Sequence, residues 1–203
     1  MPSALVLYSD QIPPHTDAID QALIAMLPAN PRIGYIPSSP DPDRIWFKER
    51  EFYYARYGAT LEFFGLETEF RPERTPDLLS CDAIHLTGGN TFQFLYWLRE
   101  RNLMDKLKSY TGALIGVSAG AILMTPTVET SSICGDVPYP PLKDQTGLGL
   151  VDFAVVPHVT SQEPITELAK TYPGKVIGLP DGSGIVVRDS KLEIFGPIFT
   201  AND

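Results

Sequence analysis

The sequence predicts an α/β protein, a mostly parallel sheet flanked by helices on both faces and folded as a single domain over residues 1–203. The first reason is rhythm. Short β-branched, apolar runs alternate with amphipathic stretches, as expected for strands buried on both sides and helices that cover them. Size is the second: 203 residues bury one α/β core well and are few for two. Composition is the third, since 43% apolar and 20% charged residues suit an ordinary globular chain. No internal repeat, low-complexity tract or linker interrupts the pattern.

Taken in order, Ala4 to Tyr8 reads as the first strand and Thr16 to Leu27 as a helix. Arg32 to Ile36 is a second strand, ended by Pro37-Ser38-Ser39-Pro40. A long helical pattern follows from Asp43 to Tyr57, with Gly58 where a C-terminal cap glycine belongs. Thr60 to Phe64 makes a third strand, Ala83 to Leu86 a fourth, and Thr91 to Leu98 a helix. Ala113 to Val117 is a fifth strand that stops at Ser118. Phe153 to Val156 and Val176 to Gly178 are shorter candidates, and Gly184 to Arg188 with Lys191 to Phe195 forms a hairpin around Asp189-Ser190. Prolines gather at Pro13-Pro14, Pro37 to Pro42 and Pro138 to Pro141, which suggests preset loop shapes rather than disorder.

Charge narrows the partners. The net charge is −9, from 25 acidic against 16 basic residues, and no dense Lys/Arg block occurs. Neither a nucleic-acid backbone nor an anionic membrane is expected to bind. No charged-then-apolar leader opens the chain and no apolar run is long enough to span a bilayer, so the cytoplasm is the expected compartment. Cys81 and Cys134 form neither a CxxC pair nor a disulfide framework. No HExxH or clustered Cys/His spacing is present, and no metal site is expected.

The chemistry concentrates at Gly116-Val117-Ser118-Ala119-Gly120. A buried strand runs directly into a serine and a short helix leaves it, so Ser118 must occupy a strained turn with its hydroxyl at the carboxyl end of the sheet. Glycines at 116 and 120 let the two arms of the turn approach, and the amide of Ala119 is placed to donate to an oxyanion. The competing reading is a Gly/Ala-rich turn with an idle serine.

A nucleophilic serine needs a base, and the chain has three histidines. His15 sits at a helix start beside Pro13-Pro14 and reads as a surface residue. His85 lies inside a strand and reads as core or sheet packing. His158 follows a strand end, where an open α/β sheet presents its working residues, and is the candidate base. Asp181, in Gly178-Leu179-Pro180-Asp181-Gly182, also follows a strand and is the candidate that orients His158. It competes with its own reading as a turn aspartate, and with Asp136 and Asp152 for the role. All three members are expected at one rim of the sheet. Thr87-Gly88-Gly89-Asn90 fits neither GxGxxG nor the P-loop, and Gly88, Gly89 and Asn90 are candidates for the second oxyanion donor and substrate binding. The aromatic group Trp46, Phe47, Phe52, Tyr53, Tyr54 and Tyr57 spreads around its helix, which suggests core packing on one side and a partner surface on the other.

At these residues the chain resembles the peptidase E family of aspartyl dipeptidases, relatives of cyanophycinase. The shared pieces are Gly88-Gly89-Asn90-Thr91-Phe92, Gly116 to Ala121, Pro157-His158 and Gly178 to Gly182. The resemblance implies a class I glutamine amidotransferase-like (flavodoxin-like) fold, a Ser118-His158-Asp181 triad, no cofactor and a homodimer. Two departures bear on substrate. Those dipeptidases usually carry glutamate where Asp181 stands. They also place an arginine-bearing segment between the histidine and the acid, whereas this chain has only Lys170 and Lys175 there. A buried substrate carboxylate without a cationic partner is costly, so strict Asp-X specificity is not expected to carry over. The expected function is a serine peptidase-like hydrolase of short peptides. A hydrolase of non-peptide amides or esters, or a binding protein without turnover, stands as the alternative.

Overall fold

β1 (Ala4–Tyr8) is buried at all five positions, so it can only sit inside a sheet covered on both faces. A computed structural model of the chain describes residues 1–138 and 141–202. Residues 139 and 140, inside the proline run expected at 138–141, and residue 203 lie outside the described residues. β1 pairs in parallel with β5 (Ala113–Val117), register Ala4 to Ala113, and antiparallel with β8 (Gly184–Arg188). With β2 (Arg32–Ile36), β3 (Thr60–Phe63), β4 (Ala83–Leu86) and β9 (Lys191–Phe195) they form a seven-stranded sheet, ordered β3-β2-β4-β5-β1-β8-β9. β3, β2, β4, β5 and β1 run parallel, and the β8–β9 hairpin closes one edge antiparallel. Asp189 and Ser190 both take positive φ (49° and 60°), the two-residue turn whose twist matches the strands it joins.

The period of two along β1 divides the core. Leu5 and Leu7 face one side, with Leu86, Leu114 and the helices α4 (Thr91–Glu100) and α6 (Ala119–Leu123). Val6 and Tyr8 face the other, with Ile115 and the helices α1 (Asp17–Ile24) and α2 (Ile45–Ala55). Each fully buried aliphatic side chain on either face contributes about 1.5–3 kcal/mol. The expected fold class is the observed one: mostly parallel, helices on both faces, one domain.

Boundaries moved where local chemistry intervened. The first helix stops at Ile24 rather than Leu27: the Met26 and Leu27 N–H groups turn to i→i−3 bonds with Leu23 O and Ile24 O, and Pro28 disfavours helical backbone at Leu27. The second begins at Ile45 rather than Asp43: Arg44 is left-handed (φ 57°), and the Asp41 carboxylate caps the N–H groups of Ile45 and Phe47, both at 2.9 Å. The short helices α3 (Thr75–Leu79), α5 (Met104–Lys108) and α7 (Glu163–Ala169) add to the expected elements.

The larger difference is a second sheet. β6 (Ala154–Pro157) and β7 (Val176–Leu179) pair in parallel, and β10 (Phe199–Ala201) adds antiparallel to β7. These strands do not join the main sheet; Val156, Val159, Ile165 and Val176 form a small core of their own. Both β6 and β7 end where the main sheet presents the carboxyl ends of β1 and β5.

Candidate active site

Five buried residues of β5 deliver the chain to Ser118, and α6 begins at the next residue. Ser118 takes φ 51° and ψ −108°, a conformation that costs a non-glycine residue about 1–3 kcal/mol and persists only if its surroundings impose it. They do. Its N–H donates to Tyr8 O at 3.0 Å, and its carbonyl accepts from Ile122 N–H at 3.0 Å. A Cβ on Gly116 would lie 2.5 Å from the Gly120 carbonyl, and one on Gly120 would lie 2.1 Å from Leu86 O. Both glycines are therefore required by the close passage of strand, turn and helix.

His158 follows β6 directly, with φ 61°, and its Nε2 lies 2.8 Å from Ser118 Oγ. Its Nδ1 lies 2.6 Å from Asp181 Oδ1. Asp181 sits in a turn after β7 closed by Ser183 N–H to Pro180 O at 3.0 Å, with Gly182 at φ 82°. A carboxylate only accepts, so Nδ1 carries the proton and Nε2 is left to accept from the serine hydroxyl. The expectation of one sheet rim is corrected: Ser118 comes from the large sheet, His158 and Asp181 from the small one. Side-chain exposures of 39% for His158 and 52% for Asp181 leave this pair open to water.

The rival acids are occupied elsewhere. Asp136 accepts the Thr91 N–H at 2.8 Å, and Asp152 lines a separate cleft with Met1 and Leu192. Neither Cys81 nor Cys134 offers a thiolate, since burial pushes both thiols up to about 11.

Ser9, which no motif of the sequence singles out, joins this hydrogen-bonded line. Fully buried at the end of β1, it accepts the His158 backbone N–H at 2.9 Å and donates to Asp181 Oδ1 at 3.1 Å. Its only signal is a hydroxyl at the carboxyl end of a strand, and this becomes meaningful once β1 is known to lie beside β5.

A cleft of about 480 Å³ opens in front of Ser118 and His158. Gly88 and Gly89 line it, and a Cβ on Gly88 would stand 3.5 Å from Ser118 Cβ. Gly89 has φ 125° and packs where a Cβ would strike Ser38 Oγ, while Ser38 Oγ–H donates to Gly88 O at 2.6 Å. The N–H groups of Gly88, Gly89 and Ala119 have no partner among the described residues. Asn90 is placed differently: its side chain caps α4, accepting Gln93 N–H at 2.9 Å and donating to Val137 O at 3.0 Å, and it does not line the cleft. His15 is exposed as expected. His85 is buried as expected, yet its ring borders the cleft, and so does Trp46 from the aromatic helix. Among the described residues no cluster of His, Cys, Asp or Glu could hold a metal ion, and no helix is long and apolar enough to cross a membrane.

Residues 5–195 match the family description Peptidase family S51. An uncharacterized peptidase of Pasteurella multocida is 31% identical over 147 residues, 70% of each chain. Peptidase E of Citrobacter koseri is 35% identical over 163 residues, 71% of this chain and 70% of that one. Peptidase E of a Nostoc species is 30% identical over 133 residues, 58% of this chain and 53% of its own length. The matches thus span from about half to 70% of these relatives. The crystal structure of a Listeria monocytogenes protein, provisionally described as a peptidase E, superposes with a TM-score of 0.77. That match covers 95% of this chain and 97% of that one at 22% identity, a likeness of fold.

Proposed function

We propose, from the premise that this chain belongs to peptidase family S51, a family of serine peptidases, that it hydrolyses short peptides through Ser118, His158 and Asp181. The observation that carries the reading is the unbroken hydrogen-bond line from Ser118 Oγ through the imidazole to Asp181, at 2.8 and 2.6 Å. Ser118 Oγ attacks the scissile carbonyl while His158 Nε2 takes its proton, and Asp181 stabilises the imidazolium that forms. The carbonyl oxygen becomes an oxyanion received by the amides of Ala119 and the Gly88-Gly89 turn. His158 then protonates the leaving amine, and water, deprotonated by the same imidazole, releases the acyl group from Ser118.

Asp-X substrates are not required by this reading. The stretch from His158 to Asp181 carries no arginine, and the guanidinium that does line the cleft, Arg50, comes from α2 instead. The family resemblance supports a homodimer and the free Cys81 and Cys134 suit a reducing cytoplasm; light scattering of the purified chain tests the first and fractionation of its host the second. The activity is tested by a panel of X-Leu dipeptides with varied N-terminal residues. Cleavage of at least one, lost by roughly a millionfold in Ser118→Ala, is expected. Cleavage that survives in Ser118→Ala would reject the nucleophile.

A further inference from the structure

We propose that His85 is a substrate-binding donor whose Nε2–H, held in that tautomer by an Arg50–Gln11–Tyr54 hydrogen-bond chain, receives a neutral carbonyl oxygen in the Ser118 cleft. The inference rests on the proposed function only in taking that cleft as the place where substrate lies.

The direction of every bond in the chain follows from donor and acceptor inventory. Arg50 only donates, and its Nη1 lies 2.9 Å from Gln11 Oε1, so the amide of Gln11 is oriented oxygen toward Arg50. The opposite end, Gln11 Nε2, donates to Tyr54 Oη at 3.0 Å. Tyr54 has one hydroxyl proton and is 1% exposed, and the one acceptor within reach among the described residues is His85 Nδ1 at 2.8 Å. The reverse arrangement, Nδ1–H donating to Tyr54, would bury a hydroxyl proton with no acceptor. Nδ1 is therefore bare. Burial first, and the nearby Arg50 charge second, hold the imidazole's ionisation well below its usual range, so the ring is neutral and its single proton sits on Nε2.

Nε2 has no partner among the described residues, although His85 is only 2% exposed. Among the described residues the unpartnered side-chain polar atoms that are fully enclosed are Asp17 Oδ1 and the hydroxyls of Thr91, Thr130 and Ser183, and Nε2 is not one of these. It therefore keeps accessible surface, and the opening that His85 borders is the cleft. The ring cannot swing away: Tyr35 stacks on it at 5.4 Å and 19°, and Tyr54 meets it edge-on at 5.6 Å and 83°. Asp10, Asp41 and Glu49 line the same cleft against the single guanidinium of Arg50. A neutral carbonyl meets less repulsion there than a carboxylate.

Long-range ¹H–¹⁵N spectra of the three histidines, assigned with His85→Phe, test the proposal on the intact chain. The expected spectrum has Nε2 protonated and Nδ1 bare at neutral pH. Titration with N-methylacetamide, a peptide-carbonyl probe, shifts the Nε2–H signal, and acetate shifts it less. Tyr54→Phe lowers the Nε2–H share and shrinks the shift several-fold with the circular dichroism spectrum unchanged. Arg50→Met, at a half-buried position where the guanidinium lies 5.0 Å over the Tyr53 ring, does the same to a smaller extent, again with the circular dichroism spectrum unchanged. A proton found on Nδ1, no response to N-methylacetamide, or a stronger response to acetate would overturn the proposal. Fluorophosphonate labelling of Ser118 in the same samples keeps the two readings apart: its failure rejects the triad and leaves the tautomer result standing.

Discussion

Replacing Asp181 by asparagine removes a charge and keeps the shape, and the structure sets how much activity this costs. Two donors converge on Asp181 Oδ1: His158 Nδ1–H at 2.6 Å and the Ser9 hydroxyl at 3.1 Å. An asparagine whose carbonyl oxygen takes that position keeps both bonds, so the imidazole stays protonated on Nδ1 and Nε2 stays open to Ser118. What disappears is the attraction between carboxylate and imidazolium. With the two side chains 52% and 39% exposed, that attraction lies between the aqueous and near-surface limits, about 1–4 kcal/mol. The expected loss for Asp181→Asn is therefore about 5- to 1000-fold in kcat/KM. Ser9→Ala withdraws the second donor. With alanine at 9, the amide of asparagine 181 is free to turn its NH₂ toward Nδ1, which forces the proton onto Nε2, and a wrong tautomer costs roughly 10⁴-fold. Ser9→Ala alone, where the carboxylate can only accept, loses about tenfold or less, the scale of one hydrogen bond. The double variant falls by about 10⁴, more than the product of the singles unless both sit at their upper limits of about 1000-fold and tenfold, read as kcat/KM on a cleaved X-Leu dipeptide in a double-mutant cycle. A full 10⁴-fold loss in Asp181→Asn, with Ser9→Ala adding nothing, would refute the positioning role of Ser9. Unchanged activity in Asp181→Asn would remove Asp181 from the relay.

Further expectations follow from packing and charge. Gly120→Ala forces a Cβ to within 2.1 Å of Leu86 O and should destabilise the fold by about 3 kcal/mol or more, measured by urea unfolding. Because burial keeps His85 neutral in the folded chain, the unfolded chain binds one more proton below its ordinary pKa of about 6.5. Stability from this group is complete above that pH and is lost as pH falls, by up to about 1.4 kcal/mol per pH unit, and His85→Phe should flatten the slope of unfolding free energy between pH 6.5 and 5 by that amount. Thiol reagents should label Cys81 and Cys134 slowly in the native chain at pH 7, since burial raises both thiols to about 11, and rapid native labelling would contradict that burial.

Much of this architecture was legible because its signals are local. The buried runs of β1 and β5, the Gly116 to Gly120 turn and the Asp189-Ser190 hairpin each carry their geometry in a few adjacent residues. The positions of His158 and Asp181 after strands were also legible, and the hydrogen bonds bring both to Ser118; their catalytic roles rest on the proposal. What was not legible is pairing between distant segments. β6, β7 and β10 are four, four and three residues long, and nothing in such short runs states that they pair with one another rather than with the main sheet. Ser9 and the Arg50–Gln11–Tyr54–His85 chain are of the same kind, since each contact joins residues from different elements. Asn90 was assigned to the site from its glycine neighbours, and its side chain instead satisfies the first turn of α4, a role its N-cap position also encodes. In the aromatic helix, Tyr53 and Tyr54 are buried, whereas Trp46 turns toward the cleft and Phe52 is 78% exposed.

Whether Ser118 is an activated nucleophile is tested most directly by reaction with a fluorophosphonate followed by peptide mass mapping. One adduct per chain is expected, on Ser118, formed at a rate that collapses in His158→Ala while the fold persists. An unmodified Ser118 in a folded protein, or equal labelling with and without His158, would contradict it.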